Sequence, residues 1–360
     1  MLKEFFDIKT EAFGIDISDL SIKAVQIEKG EIVSYGKIWL REGLIKKGQV
    51  KDPKALAFAI QQLLAKIKGK KIKTKYVIAS LPEERSFIQV TPLPKLSEKE
   101  AKEAARFEAE NYIPYALEKV YLDAQIVPPL YNHLDHTDVL LAAIPREIVE
   151  GYLKVLHLAS LKPIAFEIES QSVVRALIPE ETTTRPVLIL DIGATRTGFA
   201  IFAGKSLRFT TSLPISSEKF TRALIRTLKI DYQTAQDLKY EYGVMQRGKE
   251  GEVVFEALIP VLTDFVEQIK QYIEYYQTHA SHLHLPPNGK NFIQEIILCG
   301  GGAEMKGLDK FLASQLKIPT KKGNPLVNLR KQKSIIPQSE ILSYACAIGL
   351  ALRSYQEKWI

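Results

Sequence analysis

Cysteine is almost missing from this chain: its 360 residues hold two, Cys299 and Cys346. That excludes a disulfide-stapled secreted scaffold and a cysteine-rich zinc site. Long apolar runs are missing too. The longest, residues 341–352, is broken by Ser343 and is too short to span a bilayer. No basic-then-apolar leader opens the chain, since Lys3, Glu4, Asp7 and Lys9 interrupt its start. Glycine (20) and proline (18) are too few for a collagenous or disordered chain. Neither a Gly-x-Ser-x-Gly elbow nor a Walker Gly-Lys-Ser occurs, so serine hydrolases and P-loop enzymes have no support. What remains is 46% apolar and 25% charged, a soluble composition for a reducing compartment, at a length that predicts two or more cores.

The charge balance is +7, from 49 Lys and Arg against 42 Asp and Glu. The surplus sits in two runs. One is Lys66, Lys68, Lys70, Lys71, Lys73 and Lys75; the other is Lys321, Lys322, Arg330, Lys331 and Lys333. The first carries one aromatic, Tyr76, and neither lies on a recognition helix, so no nucleic-acid partner is expected. Both runs read as solvated loop lysines, with attraction to anionic lipid as the alternative.

Two segments look alike, residues 13–32 and 188–207. Each has an apolar strand ending in Asp, a turn of small residues and a second apolar strand. Such a repeat predicts two related domains, each opening with a hairpin. Apolar spacing predicts helices over 53–68, 97–112, 147–159, 262–276 and 307–317, the second with a Ser97–Glu100 capping box. Short apolar runs predict strands at 76–80, 139–143, 187–191, 197–202 and 295–299. Alternation of the two makes the fold class α/β. Residues 85–145, rich in proline, read as a smaller α+β insertion.

Three turns could meet at one cleft. The first holds Asp16, Ser18, Asp19, Ser21 and Lys23; the second holds Asp191, Gly193, Ala194, Thr195 and Thr197. The third holds Gly300, Gly301, Gly302, Glu304 and Met305. Small-residue turns can aim backbone N–H groups at phosphate oxygens, and the hydroxyls of Ser21, Thr195 and Thr197 add donors. Asp16 and Asp191 at the strand ends could hold Mg²⁺ through water. Successive glycines before a helix admit a base or ribose close to the backbone. Taken alone, Lys23 reads as a solvated strand residue. His279, His282 and His284 cluster without a carboxylate or cysteine to complete a metal site, and none is expected there. Cys299 and Cys346 read as small buried apolar residues.

The order of these three turns resembles the actin-like ATPase superfamily. Within it the chain is most similar to the PilM-type family of type IV pilus assembly proteins, relatives of the division protein FtsA. The closer likeness lies in residues 90–127, in Phe166 to Ser172 as a first connecting motif, and in Ala345 to Arg353 as a second. It implies an actin-like ATPase fold: two RNase-H-like halves around an ATP·Mg²⁺ cleft, with an α+β 1C-type insertion and a helical 2B subdomain. It divides the chain into 1A (1–85, 161–182 and 341–360), 1C (86–160), 2A (183–230 and 291–340) and 2B (231–290). Gln236 and Lys239 stand where the family contacts the ribose, Gln236 in place of a Glu. Ser18 stands where the family has Gly, and Asp19 where it has Ser or Thr; a carboxylate there would point outward or favour metal. No base for water activation is marked; Glu169 and Gln171 are nearest and read as hinge residues, so any ATPase activity is slow.

The resemblance also implies an adaptor role, cytoplasmic and peripheral at the inner membrane face. Its partner is the N-terminal cytoplasmic peptide of a PilN-like bitopic membrane protein, bound between 1A and 1C. Candidate contacts are Phe87, Ile88 and Val90 on one edge and Phe107 and Tyr112 near a helix end; the alternative is that Phe107, Tyr112 and Tyr115 fill the 1C core. A homo-oligomer or ring and a pilus motor ATPase are further partners in this reading. An FtsA-like filament-forming ATPase, a nucleotide-free actin-fold scaffold and a sugar or acetate kinase of the superfamily are the alternatives.

Overall fold

Strand β1 (Phe13–Ile17) turns into β2 (Ser21–Glu28), which turns into β3 (Glu31–Trp39), an antiparallel meander. This is set out by the computed structural model, which describes residues 11–95, 97–130, 135–280 and 292–356. His282, His284 and residues 357–360 of the expected last helix lie outside the described residues. The short hairpin β4 (Ile45–Lys46) and β5 (Gln49–Val50) leads to helix α1 (Pro53–Ala65). Asp52 caps α1 by accepting the Ala55 N–H at 3.0 Å, and Pro53 suits its first turn. β6 (Lys68–Gly69) pairs with β3, and β7 (Tyr76–Leu81) runs parallel to β1.

An insertion follows: β8 (Phe87–Pro94), α2 (Glu98–Tyr112), β9 (Val120–Ile126) and β10 (His136–Pro145). Its antiparallel sheet runs β8-β10-β9. The Ser97–Glu100 capping box is present at the start of α2. Ala101, Ala105 and Ala109 are the face that α2 buries on the sheet. Helix α3 (Arg146–Leu158) returns to the first core, burying Ile148, Tyr152, Val155 and Leu156 beside α1. β11 (Lys162–Ile168) then pairs parallel with β7 and leads into α4 (Glu169–Leu177).

The second half repeats the plan with β12 (Thr183–Ile192), β13 (Thr197–Gly204) and β14 (Ser206–Leu213). Helices α5 (Ser217–Leu228), α6 (Tyr232–Glu241) and α7 (Gly248–His279) follow, then β15 (Glu295–Cys299), α8 (Leu308–Leu316), β16 (Thr320–Lys322) and α9 (Ala345–Gln356). Among the described residues the sheets run β11-β7-β1-β2-β3-β6 and β16-β15-β12-β13-β14. Five strands of each therefore match in order and direction, and the duplication that the hairpins suggested extends through both halves.

Helix α7 starts well before the expected 262–276, and Pro260 sits inside it. Its buried stripe runs on from Val254 through Leu258 to Leu262 and Phe265, so packing carries the helix past the proline. Apolar spacing does not mark α4, α5 and α6.

Helices α4 and α9 cross between the halves. A Cβ on Gly349 would lie 1.8 Å from the Ser172 carbonyl oxygen, so the crossing requires glycine. Beside it, Arg175 makes a bidentate bond to Glu167, at 2.6 and 2.7 Å, deep in the interior. The insertion touches the second half through a buried ion pair, Arg208 on β14 to Asp138 on β10 at 2.6 Å.

Candidate functional site

The two Asp-ended hairpins point their turns at one cleft of ≈ 650 Å³ between the halves, and residues 300–302 line its floor. Each half contributes its strand C-terminal ends, the usual ligand edge of an α/β sheet.

In the first turn the Ser18 N–H and hydroxyl both donate to the Ser21 carbonyl at 3.0 Å, and the two serine hydroxyls lie 3.2 Å apart. Asp19 accepts the Gly48 N–H at 3.2 Å, so its carboxylate is turned to the β4–β5 hairpin. Lys23 is buried, not solvated. Its ammonium donates to Asp16 at 3.0 Å, and Asp16 also accepts the Ser80 hydroxyl at 3.2 Å. Burial alone would lower the Lys23 pKa; the charge and hydrogen bond of Asp16, helped by Asp191, hold it above its ordinary value.

The second hairpin lacks that cation. Asp16 faces Lys23 across β1 and β2, whereas Asp191 faces Gly198 across β12 and β13. Burial, and then the charge of Asp16, push the Asp191 carboxyl up to about 6, against the opposing pull of Lys23. Gly300 packs on this hairpin at φ 80°, where a Cβ would lie 2.3 Å from the Asp191 carboxylate. The turn also seats α5: its Gly193 and Ala194 carbonyls accept the Ser217 and Glu218 N–H groups at 3.0 and 3.1 Å.

The wall between the halves is acidic. Glu169 accepts the Glu83 N–H and Glu83 accepts the Ser170 N–H, both at 3.2 Å. Burial and the nearby Asp16 push the Glu169 carboxyl well above the usual carboxylate range. Gln171 does not line the cleft.

Most nucleotide candidates meet here: Asp16, Ser18, Asp19, Ser21 and Lys23, then Asp191, Gly193, Ala194 and Thr195, and Gln236 with Gly300, Gly301 and Gly302. Four do not. Thr197 is buried and donates to the Ile215 carbonyl at 2.8 Å. Lys239 turns to α5, donating to the Ser217 and Thr221 hydroxyls at 2.9 Å; burial lowers it to about 8. Glu304 pairs with Lys322 at 2.7 Å, and Met305 is buried. These side chains follow the packing of α5 and of the loop before α8, which local spacing does not show.

Other cleft residues were not singled out from the sequence: Trp39, Glu83, Glu84, Tyr152, Tyr232 and Tyr240. Tyr232 and Tyr240 flank Gln236 at four-residue spacing, one helical face, so that pair was readable. Glu83 follows the end of β7, the strand parallel to β1.

The peptide candidates do not share one surface. Ile88 is buried in the main core with Val90 packed against it, and Phe87 packs on the core under α2, as strand alternation requires. Phe107 and Tyr112 stand outward, 77% and 42% exposed. The alternative that Phe107, Tyr112 and Tyr115 fill the insertion core is overturned, because α2 turns its alanines to that core and Tyr115 is exposed as well.

Two buried polar atoms on the cleft wall, Gln236 Oε1 and the Tyr152 hydroxyl, find no hydrogen-bond partner among the described residues. Orphans of this kind fit a polar ligand with hydroxyl groups. Among the described residues no three His, Cys, Asp or Glu side chains are grouped to hold a metal directly. No helix there is long and apolar enough to cross a membrane.

The family model described as type IV pilus assembly protein PilM matches residues 14–355. A solved PilM–PilN type IV pilus biogenesis complex is similar at 27% identity and a TM-score of 0.80, covering 97% of this chain and 100% of that one. MreB5 of Spiroplasma citri bound to ADP is similar at 13% identity and a TM-score of 0.55, covering 95% and 96%, a likeness of fold. The cell division protein FtsA of Streptococcus pneumoniae is 23% identical over 336 residues, which is 82% of this chain and 71% of that protein.

Proposed function

Because this chain belongs to the type IV pilus assembly protein PilM family, we propose that it is an actin-like adaptor of pilus assembly whose cleft binds ATP·Mg²⁺ and whose insertion region receives a PilN-type partner. The match along nearly the whole chain to the solved PilM–PilN complex carries the adaptor reading. The nucleotide reading rests on the cleft itself. Ser21 and the turn residues Ala194 and Thr195 offer donors for phosphate oxygens, and Gln236 offers an unpaired acceptor for a ribose hydroxyl. Solved relatives of the same fold carry ADP, which supports the same ligand class.

Bound Mg²⁺ would neutralise phosphate charge. Asp191 and Asp16 would hold it through water, since among the described residues no three His, Cys, Asp or Glu side chains are grouped to ligate it directly. Lys23, 3.0 Å from Asp16, fixes the position of that carboxylate. No side chain stands out as a dedicated base for water, so turnover is slow and the nucleotide acts mainly by occupancy. Occupancy would draw together the two hairpins and set the angle at the α4–α9 crossing.

The partner is the N-terminal peptide of a PilN-like bitopic membrane protein, which would hold the chain at the membrane. Of the candidate contacts, the exposed Phe107 and Tyr112 are open to it. Isothermal titration with ATP·Mg²⁺ and with such a peptide tests both parts. Heats equal to dilution for the peptide would remove the partner reading; the same result for ATP would leave a nucleotide-free scaffold.

A further inference from the structure

The first lysine run and the Arg330–Lys333 part of the second are far apart in the chain, yet they meet at one end of the first sheet. That end is opposite the cleft. It carries the β2–β3 turn and the start of β7, while the β1–β2 turn faces the nucleotide site. Residues 70–75 cross it, leaving β6 at one edge and reaching β7 across the β3, β2 and β1 positions. The later part of the second run, Arg330 to Lys333, closes on the same place, while Lys321 and Lys322 stay on β16. The Lys331 N–H donates to the Gly30 carbonyl at 3.4 Å, and the Lys331 ammonium pairs with Glu31. Ile335 lies against Gly69, its Cδ1 2.8 Å from where a Cβ would stand.

Lys66, Lys68, Lys70, Lys71, Lys73 and Lys75 are all exposed, as are Arg330, Lys331 and Lys333. Glu28 pairs with Lys70 at 2.5 Å and Glu31 with Lys331. The other seven cations meet no carboxylate at ion-pair distance among the described residues. So many like charges on one face repel one another and are relieved by an anionic surface.

We infer that this end of the first sheet is a docking face for an anionic lipid bilayer. Three features favour a bilayer over a nucleic acid or an acidic protein. The charge is spread over loops from separate segments and forms no groove or helix to enter one. Eight of the nine cations are lysine, the point charge suited to a diffuse surface, where arginine forks would suit bidentate recognition. Tyr76 (40% exposed) and Ile335 (47% exposed) stand among them, and a tyrosine and an aliphatic tip amid lysines are an interfacial composition. The face would hold the chain flat against the membrane with the cleft turned away from it, whatever the cleft binds.

Flotation of the full chain with phosphatidylcholine vesicles, with and without phosphatidylglycerol, tests this. The expected result is binding to the anionic vesicles alone, falling steeply with salt. Each lysine lost should weaken it about five-fold. Lys66→Glu, Lys71→Glu, Lys73→Glu and Lys333→Glu combined should abolish it, and the same four positions changed to Gln should weaken it with an unchanged melting temperature. Equal flotation by the Gln variant, equal binding to neutral vesicles, or tight binding to duplex DNA with none to anionic vesicles would each overturn the assignment.

Discussion

Lys23 and Asp16 form a buried ion pair, 3.0 Å across the first hairpin, that has no counterpart in the second, where Gly198 faces Asp191. The duplicated hairpins thus share a backbone and differ in charge. One cation serves two carboxylates, and that asymmetry governs the chemistry of the cleft.

Lys23→Met should cost about 3 kcal/mol of stability, because it strands the Asp16 carboxylate in the interior. It should also raise the Asp191 pKa further, since Lys23 now opposes that rise. Urea unfolding checks the first, and adding Asp16→Asn should recover much of the loss. A single variant as stable as the parent would show that the pair contributes nothing.

The Asp191 carboxyl, pushed up to about 6 by burial and by Asp16, gives stability a definite pH slope. The unfolded carboxyl titrates near about 3.9, so between the two values the folded state holds a proton that the unfolded state has lost. Stability should fall as pH rises from about 4 to about 6, reaching a penalty of about 3 kcal/mol that persists above. Asp191→Asn should flatten that segment of the curve in denaturant titrations at stepped pH. A variant curve parallel to the parent's would place the proton elsewhere.

Gly349→Ala should destabilise by about 3 kcal/mol, since the added methyl meets the Ser172 carbonyl and must part α4 from α9. Thermal melting reads the loss. Because these helices join the halves, the variant should bind ATP more weakly as well, and full retention of both properties would show that the crossing yields without cost.

Arg208→Met leaves Asp138 buried without its guanidinium and should cost about 3 kcal/mol. Hydrogen exchange should quicken in β10 and β14 before other strands, because the pair ties the insertion to the second half. Uniform exchange across the chain would argue against a local tie.

Gln236→Leu should weaken ATP binding roughly ten-fold, the worth of one hydrogen bond to a buried acceptor, with little change in stability. Titration calorimetry decides it; unchanged affinity would remove Gln236 from the site.

The repeated strand–Asp–turn–strand pattern, the Ser97–Glu100 box and the Gly300–Gly302 joint were legible in the sequence. Each is local: strand alternation, helix capping and tight turns are set by residues a few positions apart. From them came the duplicated α/β body and the three turns that meet at the cleft. The tertiary structure alone decided where the long polar side chains end. It sent Lys23 to Asp16, Asp19 to Gly48, Lys239 to α5, and left Phe107 outside while α2 turned its alanines to the core. It also brought Lys331 to Glu31, so that the first lysine run and the Arg330–Lys333 part of the second became one face. The physical reason is range. Hydrogen bonds and ion pairs act between neighbours in space, and in this chain those neighbours are supplied by segments that the sequence keeps far apart.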